Sequence, residues 1–241
     1  MSASTAPADS GVRAPATTRL ANKLNWLRAG VLGANDGIVS TAGIVMGVAG
    51  ATADSNTLLI AGLAGLVAGA LSMAGGEYVS VSSQRDTEIA AVAEVQSTLC
   101  ESPDLALAAL AQAYQDRGLD PELAERVAQA LTEHDAVSAQ VEAHLGISAD
   151  QPTSPWPAAR ASFLAFVIGS LVPLSAMVLA PAASRVWSTM AAVVVALVLT
   201  GAISARLGRA SVVVGLARNV AVGLLTMGLT YGIGHLIGVN L

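Results

Sequence analysis

The sequence is short of charge. Only 12% of its 241 residues are Asp, Glu, Lys or Arg, against about 25% in an average soluble domain. Basic residues are the scarcer sign, and the formal net charge of −5 argues against nucleic acid as a partner, since phosphate binding needs a basic face. Cysteine occurs once, at Cys100, so an internal disulfide framework is excluded; Cys100 itself reads as a small buried apolar residue rather than a metal ligand. No HExxH is present, and no glycine-flanked serine pairs evidently with His235, so neither metalloprotease nor serine-protease chemistry has its parts. The first apolar run begins near Arg28, behind a polar leader. That is late for a secretory signal, and the run is too long for a signal core.

What the sequence has is apolar length, with 54% hydrophobic residues. Runs of about 20 residues, each able to cross a hydrocarbon core about 30 Å thick, fall near 29–49, 58–81, 161–180, 187–205 and 212–238. The reading is an all-α membrane protein of five transmembrane helices. Residues 1–19, rich in Ser, Thr, Ala and Pro, read as a disordered tail. Residues 20–28 form an amphipathic lead-in with Trp26 and Arg28 at the interface, and the first two spans complete the segment 20–83. Composition then changes: 13 of the 17 acids lie in 84–150. Helical spacing of Leu107, Leu110 and Tyr114, then Leu123, Val127 and Leu131, predicts helices near 84–100, 104–117 and 121–145. Pro103 and Pro121 open the second and third; Gly118 and Gly146 close them. This is a three-helix insert between the second and third spans, ending in a stiff linker at 151–157, so that the insert and linker occupy 84–157 and the last three spans 158–241.

Lys and Arg bias sets orientation. With the insert on one side, ten of the twelve basic residues share that side, among them Arg13, Arg28, Arg85, Arg160, Arg206 and Arg209. Arg185 lies opposite and Arg218 inside the last run. The N-terminus and insert are therefore expected in the cytoplasm and the C-terminus outside.

Two acids fall inside the spans. An acid at the centre of a membrane helix costs about 2.5–3.5 kcal/mol, which makes Asp36 in the first span and Glu77 in the second functional candidates. Met73, four residues before Glu77, shares its helical face. Carboxylates alone suit hard ions, and a thioether adds preference for later, more polarisable metals. Asp36, Met73 and Glu77 thus form the expected metal path. Small residues flank them: Gly30, Gly33, Gly37 and Thr41 in the first span, Gly62, Gly65, Gly69, Ser72 and Gly76 in the second. They serve either close helix packing or an ion path. Arg218 is placed to snorkel or to pair with Glu77 or Asp36, and His235 reads as a packing residue.

The stretches LRAGVLGANDGIVSTAGIVMGVAGA (27–51) and AGLAGLVAGALSMAGGEYVSVSSQRD (61–86) resemble the first two helices of the vacuolar iron transporter family, most specifically in LGANDGIVST and SMAGGEYVSVSSQ. The resemblance extends over roughly 20–240. It implies a homodimer of five-helix protomers, joined through the first transmembrane helix, which lines the path. It places the ion site at Asp36 and Met73. It implies export of Fe²⁺ or Mn²⁺ from the cytosol in exchange for protons, serving metal homeostasis and detoxification, with no bound cofactor. A carboxylate that takes either a proton or a metal makes the two compete, as antiport requires. Family members with a metal-binding insert carry glutamates after the insert proline; Ala106, Ala108 and Ala109 stand there in this chain. Glu94, Glu101, Glu133 and His134 remain weaker metal candidates, within what reads as a solvated acidic surface. The composition looks bacterial, so the plasma membrane is the expected location. The alternatives are a passive divalent-cation channel on the same architecture, and a scaffold in which the acids are structural pairs.

Overall fold

The computed structural model describes residues 16–147, 153–208 and 211–239, with side chains from Trp26 onward, and every regular element among them is an α-helix. In chain order these are α1 (Ala16–Ala51), α2 (Ser55–Glu101), α3 (Pro103–Asp116), α4 (Pro121–Leu145), α5 (Pro155–Leu179), α6 (Arg185–Leu207) and α7 (Val212–Val239). Arg13, Arg209 and the start of the linker at 151–152 lie outside the described residues, as does the expected tail up to residue 15. Helix α1 already begins at Ala16, inside the segment read as tail.

Five helices, α1 from Trp26, α2, α5, α6 and α7, are long and apolar enough to cross a membrane, matching the five apolar runs. Their outward faces carry Ile60, Val67, Leu71, Leu164, Ile168 and Leu225, all exposed, as contact with lipid demands and contact with water would penalise. The chain is an integral membrane protein.

Contacts divide the molecule into two units, one of Asn25–Ser83 with Ser154–Leu241, the other containing Gln84–Thr153. The helix expected at 84–100 is not separate: α2 runs unbroken to Glu101. Neither Gly nor Pro occurs between Glu77 and Glu101, so nothing in the sequence interrupts the backbone ladder there. Helix α5 likewise starts at Pro155, six residues before its apolar run, because proline is well placed in a first helical turn.

In the membrane-spanning unit α1 is the centre of packing. Its first half lies against α5: a Cβ on Gly33 would sit 2.7 Å from the Ser162 carbonyl oxygen, and one on Gly37 would meet the carbonyl of Phe166. Gly169 of α5 approaches Ala34 with equal closeness. The second half lies against α7, where Gly234 meets Gly47. Small residues thus bring backbones together. Between the helices Ile38, Val45, Met46, Leu66, Leu174 and Met227 form the core. The buried Arg185 donates to the Ala53 carbonyl at 3.1 Å and to Ser55 Oγ at 3.1 Å, tying the start of α6 to the α1–α2 loop. In that loop Asp54 caps α2, accepting from the Thr57 N–H at 2.7 Å and its hydroxyl at 2.6 Å.

In the second unit α3 packs on α4 around Leu110, Ala111 and Ala128, flanked by Leu107, Tyr114 and Leu131. Ala124 and Ala128 are buried while Leu123 is 43% exposed; the small residues of α4, not Leu123, face α3 and permit the close approach. Asp120 caps α4 by accepting from the Glu122 N–H. Gly118 and Gly146 take left-handed conformations, φ 99° and 66°, which glycine adopts without strain. Helix α4 is not one straight rod: Asp135 leaves helical geometry and its carboxylate accepts from Ser138 N–H and hydroxyl, capping a second segment. Cys100 is exposed, a correction to its reading as buried: among the described residues no helix covers its face in the last turn of α2.

Candidate functional site

Asp36, Ser40 and Ile44 recur every fourth residue on α1, so they share one face. On α2 the same spacing aligns Gly65, Gly69, Met73 and Glu77, with Ser72 and Gly76 beside them. These two faces and Phe166 of α5 enclose an open groove of about 580 Å³. The glycines of α2 give it width. At Gly76 no atom lies within 4 Å of where a Cβ would stand, whereas Gly69 is filled by the Phe166 ring and Gly65 by Ile44. The predicted path residues Asp36, Met73 and Glu77 therefore line one groove, which holds two carboxylates, a thioether and the hydroxyls of Ser40 and Ser72.

The two acids differ in their partners. Glu77, with a side chain 13% exposed, lies 3.9 Å from the guanidinium of Arg28. Arg28 takes the place proposed for Arg218, which is exposed on α7. Among the described residues no side chain or N–H donates to the Asp36 carboxylate; the nearby Ser40 hydroxyl donates to the Asp36 backbone carbonyl at 2.5 Å instead. A carboxylate at membrane depth without a donor or a cation has room for a proton or a metal ion.

A scan against known families matches residues 27–235 to the description VIT family. The chain belongs to the VIT family. This VIT-family chain is 40% identical over 215 residues to a protein of Acanthamoeba castellanii called vacuolar iron transporter, covering 88% of this chain and 78% of that one. It is 38% identical to vacuolar iron transporter homolog 5 of Oryza sativa subsp. japonica, covering 90% and 83%. It is 37% identical to vacuolar iron transporter homolog 1 of Arabidopsis thaliana, covering 90% and 86%. All three names are those of transporters, not enzymes.

The weaker candidates of the VIT-family insert are not drawn together. Glu94 lines a groove of about 480 Å³ with Gln140 and His144, while Glu133 and His134 sit exposed beside the Asp135 break. Glu101 accepts from Ser97 Oγ at 3.0 Å. Glu88 is occupied too, accepting from the Thr153 N–H at 3.2 Å. Among the described residues no three His, Cys, Asp or Glu side chains gather as a metal site.

Sequence reasoning missed three features. Asn219 Nδ2 of α7 donates to Asn35 Oδ1 of α1 at 3.2 Å, beside Asp36. Ser170 Oγ donates to the Gly37 carbonyl at 3.2 Å. Arg28, read as an interface anchor, is the partner of Glu77. The signal for the first was available: an amide inside an apolar run requires a partner.

Proposed function

We propose that the protein moves divalent iron, and manganese with it, out of the cytosol in exchange for protons. The observation that carries this is the groove at Asp36: a membrane-depth carboxylate with no donor among the described residues, on the same groove as the Met73 thioether and the Glu77 carboxylate. Asp36 binds metal or proton, and the competition couples their movement. Met73 supplies a soft donor that favours Fe²⁺ over hard ions. Glu77 lines the same groove, its charge partly offset by the Arg28 guanidinium 3.9 Å away. The transporter names of the relatives support iron as cargo.

The groove is open along Ser72 and Gly76, both exposed. Polar groups at that depth cannot face acyl chains without cost, which supports a homodimer in which a second copy covers the groove against α1. Lys and Arg bias supports a cytoplasmic N-terminus and insert, and the plasma membrane remains the proposed location. The acidic insert attracts cations, and among its described residues no three His, Cys, Asp or Glu gather as a metal site.

The test is purified protein in liposomes under a pH gradient, following Fe²⁺ and Mn²⁺ entry together with internal pH, for wild type and Asp36→Ala. Coupled, opposing fluxes that vanish in an assembled Asp36→Ala protein are the expected result. Metal flux indifferent to the proton gradient would replace the antiporter with a passive channel. An Asp36→Ala protein that carries metal normally would remove Asp36 from the path.

A further inference from the structure

A second groove, of about 550 Å³, runs along the membrane-spanning unit between α1, α5 and α6. Trp26, Pro157 and Leu207 line one end; Ala34, Ile168 and Thr200 line the other. Trp26 and Ala34 are eight residues apart, Pro157 and Ile168 eleven, so the groove extends about 12–16 Å at 1.5 Å per helical residue. That is the depth of one leaflet of a hydrocarbon core about 30 Å thick. Its wall is apolar apart from Thr200, whose hydroxyl donates to the Leu197 carbonyl, and the Trp26 end, where Arg160 is the one charged residue among the described lining. The Arg160 guanidinium lies 6.0 Å from the Trp156 ring, and both Trp26 and Trp156 are about half exposed, as tryptophans at a membrane interface are. Arg206, beside Leu207, adds positive charge in the last turn of α6. At Gly30, in the wall, no atom lies within 4 Å of where a Cβ would stand, so the space is open rather than filled by a neighbour.

We propose that this groove binds an anionic phospholipid, one acyl chain along Val31, Ala34 and Leu164 and the phosphate at Arg160. Lipid binding here requires only that the helices cross a membrane, not that the protein transports metal. The groove's length matches one leaflet, the apolar wall suits a hydrocarbon chain, and an arginine at the tryptophan end supplies positive charge for an anionic headgroup, as basic pockets between membrane helices do. A second copy of the chain suits the place less well, because the polar groups that need covering lie in the other groove, at Asp36.

Native mass spectrometry of the full-length protein, titrated with phosphatidylglycerol or phosphatidylcholine of matched chains, tests the proposal. Wild type is expected to retain phosphatidylglycerol preferentially. Arg160→Gln should lower its retention about fivefold, the factor one arginine near an anionic surface supplies, and leave phosphatidylcholine unchanged. Gly30→Leu, which fills the wall, should lower both. Ala161→Leu replaces it if Gly30→Leu fails to assemble. Equal retention of the two lipids by wild type, or undiminished retention in the filled groove, overturns the site. So does a filled groove that breaks a dimer while lipid retention is unchanged, which would give the surface to a second protomer.

Discussion

Between Gln84 and Thr153 the chain carries 13 acidic residues, and in the membrane-spanning unit only three: Asp36, Asp54 and Glu77. In the acid-rich unit many carboxylates are answered close by. Glu88 receives Thr153, Glu101 receives Ser97, Asp116 receives Gln112 at 2.9 Å, and Asp120 and Asp135 cap helical segments. In the acid-poor unit Asp54 is a cap and Glu77 faces Arg28, which leaves Asp36 without a donor among the described residues. The contrast teaches that an abundance of ligand atoms does not by itself mark a candidate ion site. A carboxylate in water with a hydroxyl neighbour is satisfied at little cost, whereas one at membrane depth without a neighbour retains its capacity for an ion.

The largest effect should come from exchanging roles between the units. Asp36→Asn keeps the side-chain shape and removes the charge. Transport should fall by at least ~10–100-fold, the range seen even for groups that only support a metal's ligands. The double change Glu94→Gln with Glu101→Gln removes twice the charge from the acid-rich unit and should leave liposome flux within about twofold, since exposed charges act weakly through solvent. Flux that collapsed in the double variant and survived in Asp36→Asn would reverse the comparison.

Packing comes next. Gly37→Leu places a side chain against the Phe166 carbonyl; overpacking of this kind costs about 1–3 kcal/mol or more when backbone must shift. Thermal unfolding in detergent should show it as a large fall in Tm. Gly76→Ala, with nothing within 4 Å, should leave Tm unchanged. A smaller effect is expected at Met73: Met73→Leu preserves volume, so assembly should hold while the ratio of Fe²⁺ to Mg²⁺ competition in the flux assay falls several-fold. An unchanged ratio would reduce Met73 to a packing residue.

Much of this architecture was legible because the bilayer imposes a length. Five apolar runs gave five spans, with errors only at ends that apolarity does not mark: the start of α5 at Pro155 and the passage of α2 through residue 83 without a break. The face shared by Met73 and Glu77 followed from spacing alone. Its meeting with Asp36 did not, since spacing within one helix says nothing about which helix lies opposite. The glycines show the same limit. Gly33 and Gly37 serve packing against α5 and Gly76 leaves open space, a division that depends on neighbours no local pattern names. The Glu77 partner was missed for that reason too: Arg28 reads from the sequence as an interface anchor and Arg218 as the candidate partner, and only the folding of α1 beside α2 brings Arg28 to Glu77.

The smallest expected effect lies in the acid-rich unit and concerns pH. Ser138 donates its backbone N–H and its hydroxyl to Asp135, and these bonds hold the carboxyl below the usual aspartate range. A group whose pKa is lower folded than unfolded adds stability above its unfolded value, about 3.9, and loses it as pH falls through the lowered folded value. Asp135 is exposed, so solvent screens much of the gain. Hydrogen exchange of the α4 amides after Asp135 should therefore be flat from neutral pH to about 5, once corrected for the intrinsic rate. Protection should then decline as the carboxylate protonates below about pH 4. In Asp135→Ala the same amides should be less protected at neutral pH and show no such decline, because the cap that titrates is gone. An acid-dependent loss that persisted in Asp135→Ala would assign it to the other carboxylates of the unit and leave the break in α4 held by packing alone.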